Sequence, residues 1–314
     1  MSVSPYYPYR SAAVRDSVLA FYDSLAAKVW PVVSEERMVP TSFGETFVRI
    51  TGPTGGPPLV LLPGAAATSL MWAPNVQALS EVYRTFAPDQ MGEVGRSICT
   101  RPPGSLSDLL SWLDELFDAL APGDRINLAG LSYGGALTAQ YALHFPNRLH
   151  KAVLLAPGNT VLRIRAEAII RLALCAVASR LYAPPLARWM FADMARKDPG
   201  WLAAIIEELQ IVMRSLQARK VVIPPVLTDA EWNGLAVPTL FLVGEHETIY
   251  SPEKAVRRLR RVAPLVRAEV IPCAGHDLTF AQADTVNRTI LEFLRQPAES
   301  LRVAGSQAQS QLQR

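Results

Sequence analysis

One serine of this chain lies in a pattern that could make it a nucleophile, Gly130-Leu131-Ser132-Tyr133-Gly134. An apolar stretch typical of a strand precedes it, and a helical stretch over 136–145 follows it. A serine at such a strand-to-helix turn presents its hydroxyl at the carboxyl edge of a sheet, and the glycines allow a close approach of the backbone. We therefore predict that Ser132 is a nucleophile and that the Tyr133 N–H faces the group it attacks. The alternative is a serine in an ordinary glycine-rich turn.

A serine hydroxyl needs a general base, and the chain offers four histidines. His144 and His150 stand at positions typical of packing or surface roles, while His246 directly follows a predicted strand. His276 follows the last predicted strand, at the same sheet edge as Ser132, where open α/β sheets gather their sites. The sequence therefore predicts His276 as the general base, with His246 as the alternative.

Two carboxylates, Glu245 and Glu247, follow the predicted strand 237–243 and are candidates for orienting that base. Glu247 has room to turn back toward His276, whereas Glu245 lies nearer the strand end and is expected to make loop contacts. The order Ser132, Glu247, His276 is the order nucleophile, acid, base of one known class of triads.

The negative charge that forms on an attacked carbonyl needs two backbone donors. Tyr133 N–H is the first predicted donor. The second is expected from the loop after the apolar run 57–62, and Ala65 is the residue we predict.

Predicted strands and helices alternate along most of the chain, and this alternation predicts an α/β fold with a largely parallel sheet and helices on both faces. The predicted strands are 36–40, 45–51, 57–62, 83–88, 125–131, 149–157, 237–243 and 267–272.

The alternation stops between the strands at 149–157 and 237–243, and this break predicts the domain organisation. Residues 1–157 and 236–295 are expected to form the core, with a leading helix within 1–35. Residues 158–235 are expected to form a helical cap of three helices, 161–182, 186–197 and 201–218, in which basic residues outnumber acidic ones about two to one. Residues 296–314 are polar, and we predict a disordered tail.

The composition is that of a soluble globular protein, with 50% hydrophobic and 19% charged residues and a net charge of +3. This charge is too small to indicate nucleic acid or a membrane surface as a partner. Three widely spaced cysteines favour neither disulfides nor a zinc site. We expect a cytoplasmic protein without cofactor or metal, without a nucleic-acid partner and without stable membrane insertion; the sequence does not predict the oligomeric state.

Five sequence motifs follow one another along the chain: LLPGAAATS, APDQMGEVGRS, LAGLSYGG, PTLFLVGEHE and AGHDLTFAQADTVNRTILEFL. Over about residues 36–295 the chain resembles the α/β-hydrolase superfamily in its capped, carboxylesterase- and lipase-like form. The resemblance implies a mostly parallel eight-stranded sheet and a Ser–acid–His hydrolase with a cap between the sixth and seventh core strands. Two positions depart from the usual pattern: Pro63-Gly64 stands where His-Gly is common, and Glu247 where Asp is commoner.

The resemblance implies hydrolysis of carboxylic esters through an acyl-enzyme, without a cofactor. The apolar residues of the cap suit a small-molecule apolar ester or acyl substrate. Two alternatives stay open: a thioesterase or cyclase acting on CoA- or carrier-bound acyl chains, whose phosphates a basic cap would meet, and a non-catalytic binding protein on the same fold.

Overall fold

The computed structural model describes residues 3–121, 123–218 and 220–297. The strands of these residues are β1 (Glu35–Thr41), β2 (Gly44–Thr51), β3 (Pro58–Leu62), β4 (Arg84–Pro88), β5 (Ile98–Cys99), β6 (Ile126–Leu131), β7 (Leu149–Leu155), β8 (Thr239–Gly244) and β9 (Val266–Ile271). They form one sheet in the order β1-β2-β4-β3-β6-β7-β8-β9, with β5 paired to β2. Pairs involving β2 are antiparallel, and every neighbouring pair from β4 to β9 is parallel. The predicted mostly parallel sheet is confirmed, and the loops after β3, β4, β6, β7, β8 and β9 lie at its carboxyl edge.

All eight predicted strands are present, but the sheet also contains β5, which the sequence does not predict. A strand of two residues has no periodicity to detect. Gly44 makes this pairing possible: a Cβ atom there would lie 2.0 Å from the Ile98 carbonyl oxygen, and the Gly44 φ of +131° disfavours other residues.

Helices cover both faces of the sheet. Those of the described residues are α1 (Ala12–Val29), α2 (Ala73–Ser80), α3 (Leu106–Leu120), α4 (Tyr133–His144), α5 (Ala166–Val177), α6 (Ser179–Met190), α7 (Ala192–Lys197), α8 (Pro199–Ser215), α9 (Asp229–Asn233), α10 (Pro252–Val262), α11 (Leu278–Ala281) and α12 (Ala283–Arg295).

The two faces of the sheet have separate apolar cores, because successive strand residues point to opposite sides. Leu128 of β6 joins the core that α3, α4 and α10 cover. The next residue, Ala129, joins the core that α2 and α12 cover. The same alternation separates Leu240 from Phe241 in β8. Burial on both faces explains why these strands read as continuous apolar runs.

The chain between β7 and β8 forms helices α5 to α9, where the sequence predicts helices but places one break wrongly. The predicted break at Pro184-Pro185 lies inside α6, and the real breaks are at Ala178 and Phe191. Pro184 cannot donate to the Arg180 carbonyl one turn earlier. The Gln210 side chain of α8 donates to that carbonyl instead, at 3.4 Å, which helps the helix continue through the prolines.

The leading helix predicted within 1–35 is present as α1, which is capped by Ser11 and packs against α8. A 3₁₀ turn that begins at Ser69 and is capped by Thr68 leads into α2. Most of the predicted tail, residues 298–314, lies outside the described residues. Within the described ranges, no helix is both long enough and apolar enough to cross a bilayer.

Candidate active site

Ser132 lies at the turn between β6 and α4, in a backbone conformation that side chains rarely adopt. Its φ is 54° and its ψ is −112°, which is strained for a residue with a Cβ atom. The Ser132 N–H donates to the Leu155 carbonyl at 2.9 Å, and its own carbonyl accepts from Ala136 and Gly158 at 3.0 and 3.1 Å. The surrounding backbone therefore holds the strained turn that the sequence predicts.

The two glycines of the motif are required by close packing rather than by unusual torsions. A Cβ atom on Gly130 would lie 2.2 Å from the Gly134 carbonyl oxygen, and one on Gly134 would lie 2.4 Å from the Leu62 carbonyl oxygen. Contacts below 3.0 Å are essentially never seen for real Cβ atoms. The first turn of α4 can therefore pack against β3 and β6 only because these residues lack side chains.

His276 and Glu247 form a buried hydrogen-bonded pair on the loops after β9 and β8. His276 Nδ1 lies 3.0 Å from Glu247 Oε2 and 3.2 Å from Oε1, and the two side chains are 7% and 0% exposed. The Ile249 N–H donates to Glu247 Oε1 at 3.0 Å and fixes the carboxylate. With Nδ1 engaged in this way, Nε2 is the nitrogen left to accept a proton.

The environment of His276 favours its charged form. Burial alone lowers the pKa of the imidazole, but the charge of Glu247, the hydrogen bond to it and the charge of Asp277 raise it, and the net pKa lies above the ordinary value. The imidazolium that forms when His276 takes up a proton is thus stabilised by its surroundings.

Gly158, in the loop after β7, lies between Ser132 and the loop that carries Glu247. A Cβ atom built on Gly158 would be 3.9 Å from Ser132 Oγ and 3.8 Å from Ile249 Cδ1. In the described part of the chain, no hydrogen bond joins the Ser132 hydroxyl to His276. Such bonds are often long in ligand-free enzymes and shorten when substrate binds.

The loop after β3 presents backbone donors beside Ser132. A Cβ atom on Gly64 would lie 3.6 Å from Ser132 Cβ. Ala66 adopts a φ of 56°, and its N–H donates to Glu93 Oε2 at 3.3 Å. The N–H of Ala65, the predicted donor, has no hydrogen-bond partner among the described residues. Tyr133, the other predicted donor, directly follows Ser132 and begins α4.

Gln90 and Glu93 hold this loop, and the sequence reasoning did not single out either of them. Gln90 donates to the Pro63 carbonyl at 2.6 Å, so the proline that replaces the common histidine is fixed through its carbonyl. Both side chains are buried. Their place in the loop after β4 could have identified them as site residues, because that loop also lies at the carboxyl edge of the sheet.

Asp277, next to the predicted base, ties the His276 loop to the helices above it. Asp277 Oδ2 accepts from the Met194 N–H of α7 at 2.6 Å, and Oδ1 accepts from Gly275 N–H at 2.9 Å. Burial raises the pKa of Asp277, and its two N–H donors oppose the shift. Sequence reasoning missed this role because the partner lies 83 residues away.

The alternative site residues make other contacts. His246 Nδ1 lies 3.0 Å from an oxygen of Asp193 on α7, so this imidazole pairs with the helical segment. Glu245 accepts from the Cys273 N–H at 3.1 Å, a loop contact of the kind expected for it. Within residues 3–121, 123–218 and 220–297, no group of three or more His, Cys, Asp or Glu side chains is placed to hold a metal ion.

Comparisons with known proteins give a consistent result. The sequence profile described as the Alpha/beta hydrolase family matches residues 59–289. Carboxylesterase YbfK of Bacillus subtilis (strain 168) is 32% identical over 286 residues, which are 90% of this chain and 96% of that protein. An uncharacterized carboxylesterase, nap, from the same strain is 34% identical over 282 residues, 88% of this chain and 93% of that protein.

Solved structures agree with the sequence comparisons. The crystal structure of carboxylesterase CesB (YbfK) from Bacillus subtilis superposes with a TM-score of 0.82 at 30% identity, covering 90% of this chain and 99% of that one. Naproxen esterase (carboxylesterase NP) from Bacillus subtilis gives a TM-score of 0.84 at 32% identity, covering 91% of this chain and 100% of that one. The profile match and these similarities over nearly the whole chain establish that the protein belongs to the α/β-hydrolase family.

Proposed function

We propose that this protein is a serine hydrolase that cleaves carboxylic esters, with Ser132 as nucleophile, His276 as general base and Glu247 as the carboxylate that orients it. One observation carries the proposal: the buried His276–Glu247 pair lies at the same sheet edge as a serine held in a strained turn. The names of the two similar proteins, both carboxylesterases, support the reaction class.

In the first half of the proposed reaction, Ser132 Oγ attacks the ester carbonyl carbon while His276 Nε2 takes the hydroxyl proton. The carbonyl oxygen becomes an oxyanion that accepts hydrogen bonds from the Ala65 and Tyr133 N–H groups. The imidazolium is stabilised by Glu247 and gives its proton to the leaving alcohol. An ester bond between Ser132 and the acyl group remains.

The second half repeats these steps with water as the nucleophile. His276 takes a proton from the water, whose oxygen attacks the acyl carbon. The resulting intermediate collapses with return of the proton to Ser132 Oγ, and the carboxylic acid leaves. The protein supplies every acid and base that the reaction needs, so the proposal includes no metal or organic cofactor.

The helical segment 158–235 is proposed as a cap domain that supplies walls of the substrate pocket. Its connection to the core passes close to the site, since the Tyr133 hydroxyl donates to the Val222 carbonyl at 2.7 Å. A narrow cleft beside this contact is lined by Met91, Glu93, Tyr133 and Val222 among others. The apolar side chains of the helical segment support a small to medium apolar ester as substrate. We further propose a cytoplasmic location, which the free thiols of the described cysteines suit.

The test is hydrolysis of p-nitrophenyl butyrate by the full chain and by Ser132→Ala. We expect the variant to lose roughly 10⁴- to 10⁶-fold in kcat/KM while keeping its melting temperature. Ser24→Ala, which changes an exposed serine on α1, is the matched control and should keep full activity. An acyl-CoA assay alongside separates the thioesterase alternative: faster turnover of the thioester than of any ester would replace the proposed substrate class. Absence of turnover on both would favour the binding protein.

A further inference from the structure

The outer face of α5 and α6 is apolar although it points to solvent. We name it the cap apolar face and define it by Ile169, Ile170, Leu172, Leu174, Val177 and Leu181. Val177 is 88% exposed, Leu181 73% and Ile170 58%. The residues that α5 buries are instead the small Ala168 and Cys175. Large apolar side chains exposed together on two packed helices are typical of an interaction site.

The cap apolar face is bordered by exposed arginines. Arg163 precedes α5, and Arg180 and Arg188 lie on the outer side of α6. Within the described ranges, none of these three guanidinium groups has an ion-pair or hydrogen-bond partner. The acidic residue of α5, Glu167, is already paired with Arg171 at 2.8 Å. The border is therefore positively charged, and its arginine side chains can bind an anionic partner.

Charge decides which partner suits this surface. A second copy of the chain, docked through the same face about a two-fold axis, would present the same apolar and basic surface, on which Glu167 of α5 is already paired with Arg171. An anionic lipid surface instead offers apolar chains to the isoleucine, leucine and valine side chains and phosphates to the arginines. Helices that lie in a membrane interface combine an apolar face with flanking basic residues in this manner.

We propose that the cap apolar face docks the protein reversibly onto anionic phospholipid surfaces. The contact is peripheral, with α5 and α6 lying in the plane of the interface. The start of α5 is tied to the core close to the proposed site, since the Arg165 N–H donates to the Ile249 carbonyl at 2.8 Å. Docking would thus bring lipid-soluble molecules near the loop that carries Glu247. The docking itself does not depend on the proposed ester hydrolysis.

The experiment is co-sedimentation of the full chain with phosphatidylcholine vesicles and with vesicles that also contain phosphatidylglycerol. We expect binding to the anionic vesicles and at least about tenfold weaker binding to the neutral ones, because each arginine near such a surface contributes roughly fivefold. Added salt should weaken the binding. Equal binding to both vesicle types, or no binding to either, would overturn the proposal.

Variants locate the contact. Val177→Asp should weaken anionic-vesicle binding about tenfold or more by removing apolar burial and adding a repelled charge, and Arg180→Gln with Arg188→Gln about 25-fold. Val33→Asp is the matched control, because Val33 is 96% exposed but lies outside the cap. Unchanged melting temperatures exclude misfolding. If Val33→Asp weakens binding as much as Val177→Asp, or if sedimentation shows a dimer that Val177→Asp dissociates, the lipid assignment is wrong.

Discussion

Replacing Glu247 by glutamine removes one charge from the proposed site and leaves its shape nearly unchanged. The carboxylate is fully buried and lies 3.0 Å from His276 Nδ1. At that separation, with an effective dielectric constant near 20, it stabilises an imidazolium by about 5.5 kcal/mol. Because 1.36 kcal/mol corresponds to a factor of ten, Glu247→Gln should lower kcat/KM by roughly 10⁴-fold.

The pH profile gives this prediction a second readout. Only neutral His276 can take a proton, so activity rises with pH as the imidazolium deprotonates. Glu247 raises the pKa of His276, whereas burial lowers it. Without the carboxylate the pKa falls, and the acidic limb of the kcat/KM profile should move to lower pH than in the parent enzyme. A merely structural defect would lower activity without moving this limb.

The assay is p-nitrophenyl butyrate hydrolysis from pH 5 to 9, a range of roughly two units on either side of neutrality, with Glu245→Gln as the matched control. Glu245 is half exposed and contacts a loop N–H, so its variant should keep nearly full activity and an unchanged limb. Activity of Glu247→Gln within about tenfold of the parent, an unmoved acidic limb, or an equal loss in Glu245→Gln would refute the role of Glu247.

Three further pairs of variants test the site and its surroundings. Gly134→Ala should destabilise the fold by about 1–3 kcal/mol or more, because its Cβ atom would lie 2.4 Å from a carbonyl oxygen, whereas Gly55→Ala, with no atom within 4 Å, should melt like the parent. Asp277→Ala should leave two buried N–H groups unsatisfied and lower the free energy of unfolding by about 2 kcal/mol, while Asp277→Asn keeps an acceptor and loses less; equal melting temperatures for the two variants would contradict this. His246→Ala should keep activity within about threefold and His276→Ala should lose roughly 10⁴-fold, and the reverse result would exchange their roles.

The local chemistry of the site could be predicted from the sequence because each part of it is encoded over few residues. Ser132 is recognisable from its two flanking glycines, of which Gly130 must pack closely against Gly134 within the same turn. Glu247 and His276 could be inferred because each follows a strand, and parallel strands bring such loops to one edge. The structure adds the hydrogen bond between them, which is consistent with the inferred pairing.

What the sequence did not predict depends on contacts between distant segments. Asp277 accepts a hydrogen bond from the Met194 N–H, 83 residues away in the sequence, and no local sequence pattern predicts that contact. The helix through Pro184 depends on a side chain from another helix, Gln210, so a local rule places a break there. The exposure of the apolar face of α5 could not be predicted either, because periodicity shows that a helix has an apolar side but not whether that side faces the core or the solvent.

The structure of a fluorophosphonate adduct tests the central claim most directly, since a phosphonyl group imitates the tetrahedral intermediate. We predict a covalent bond between phosphorus and Ser132 Oγ, His276 Nε2 within about 3 Å of an oxygen on phosphorus or of Oγ, and the phosphoryl oxygen in contact with the Ala65 and Tyr133 N–H groups. Phosphonylation of another residue, or an imidazole of His276 that stays out of reach of the bound phosphonate, would contradict the account.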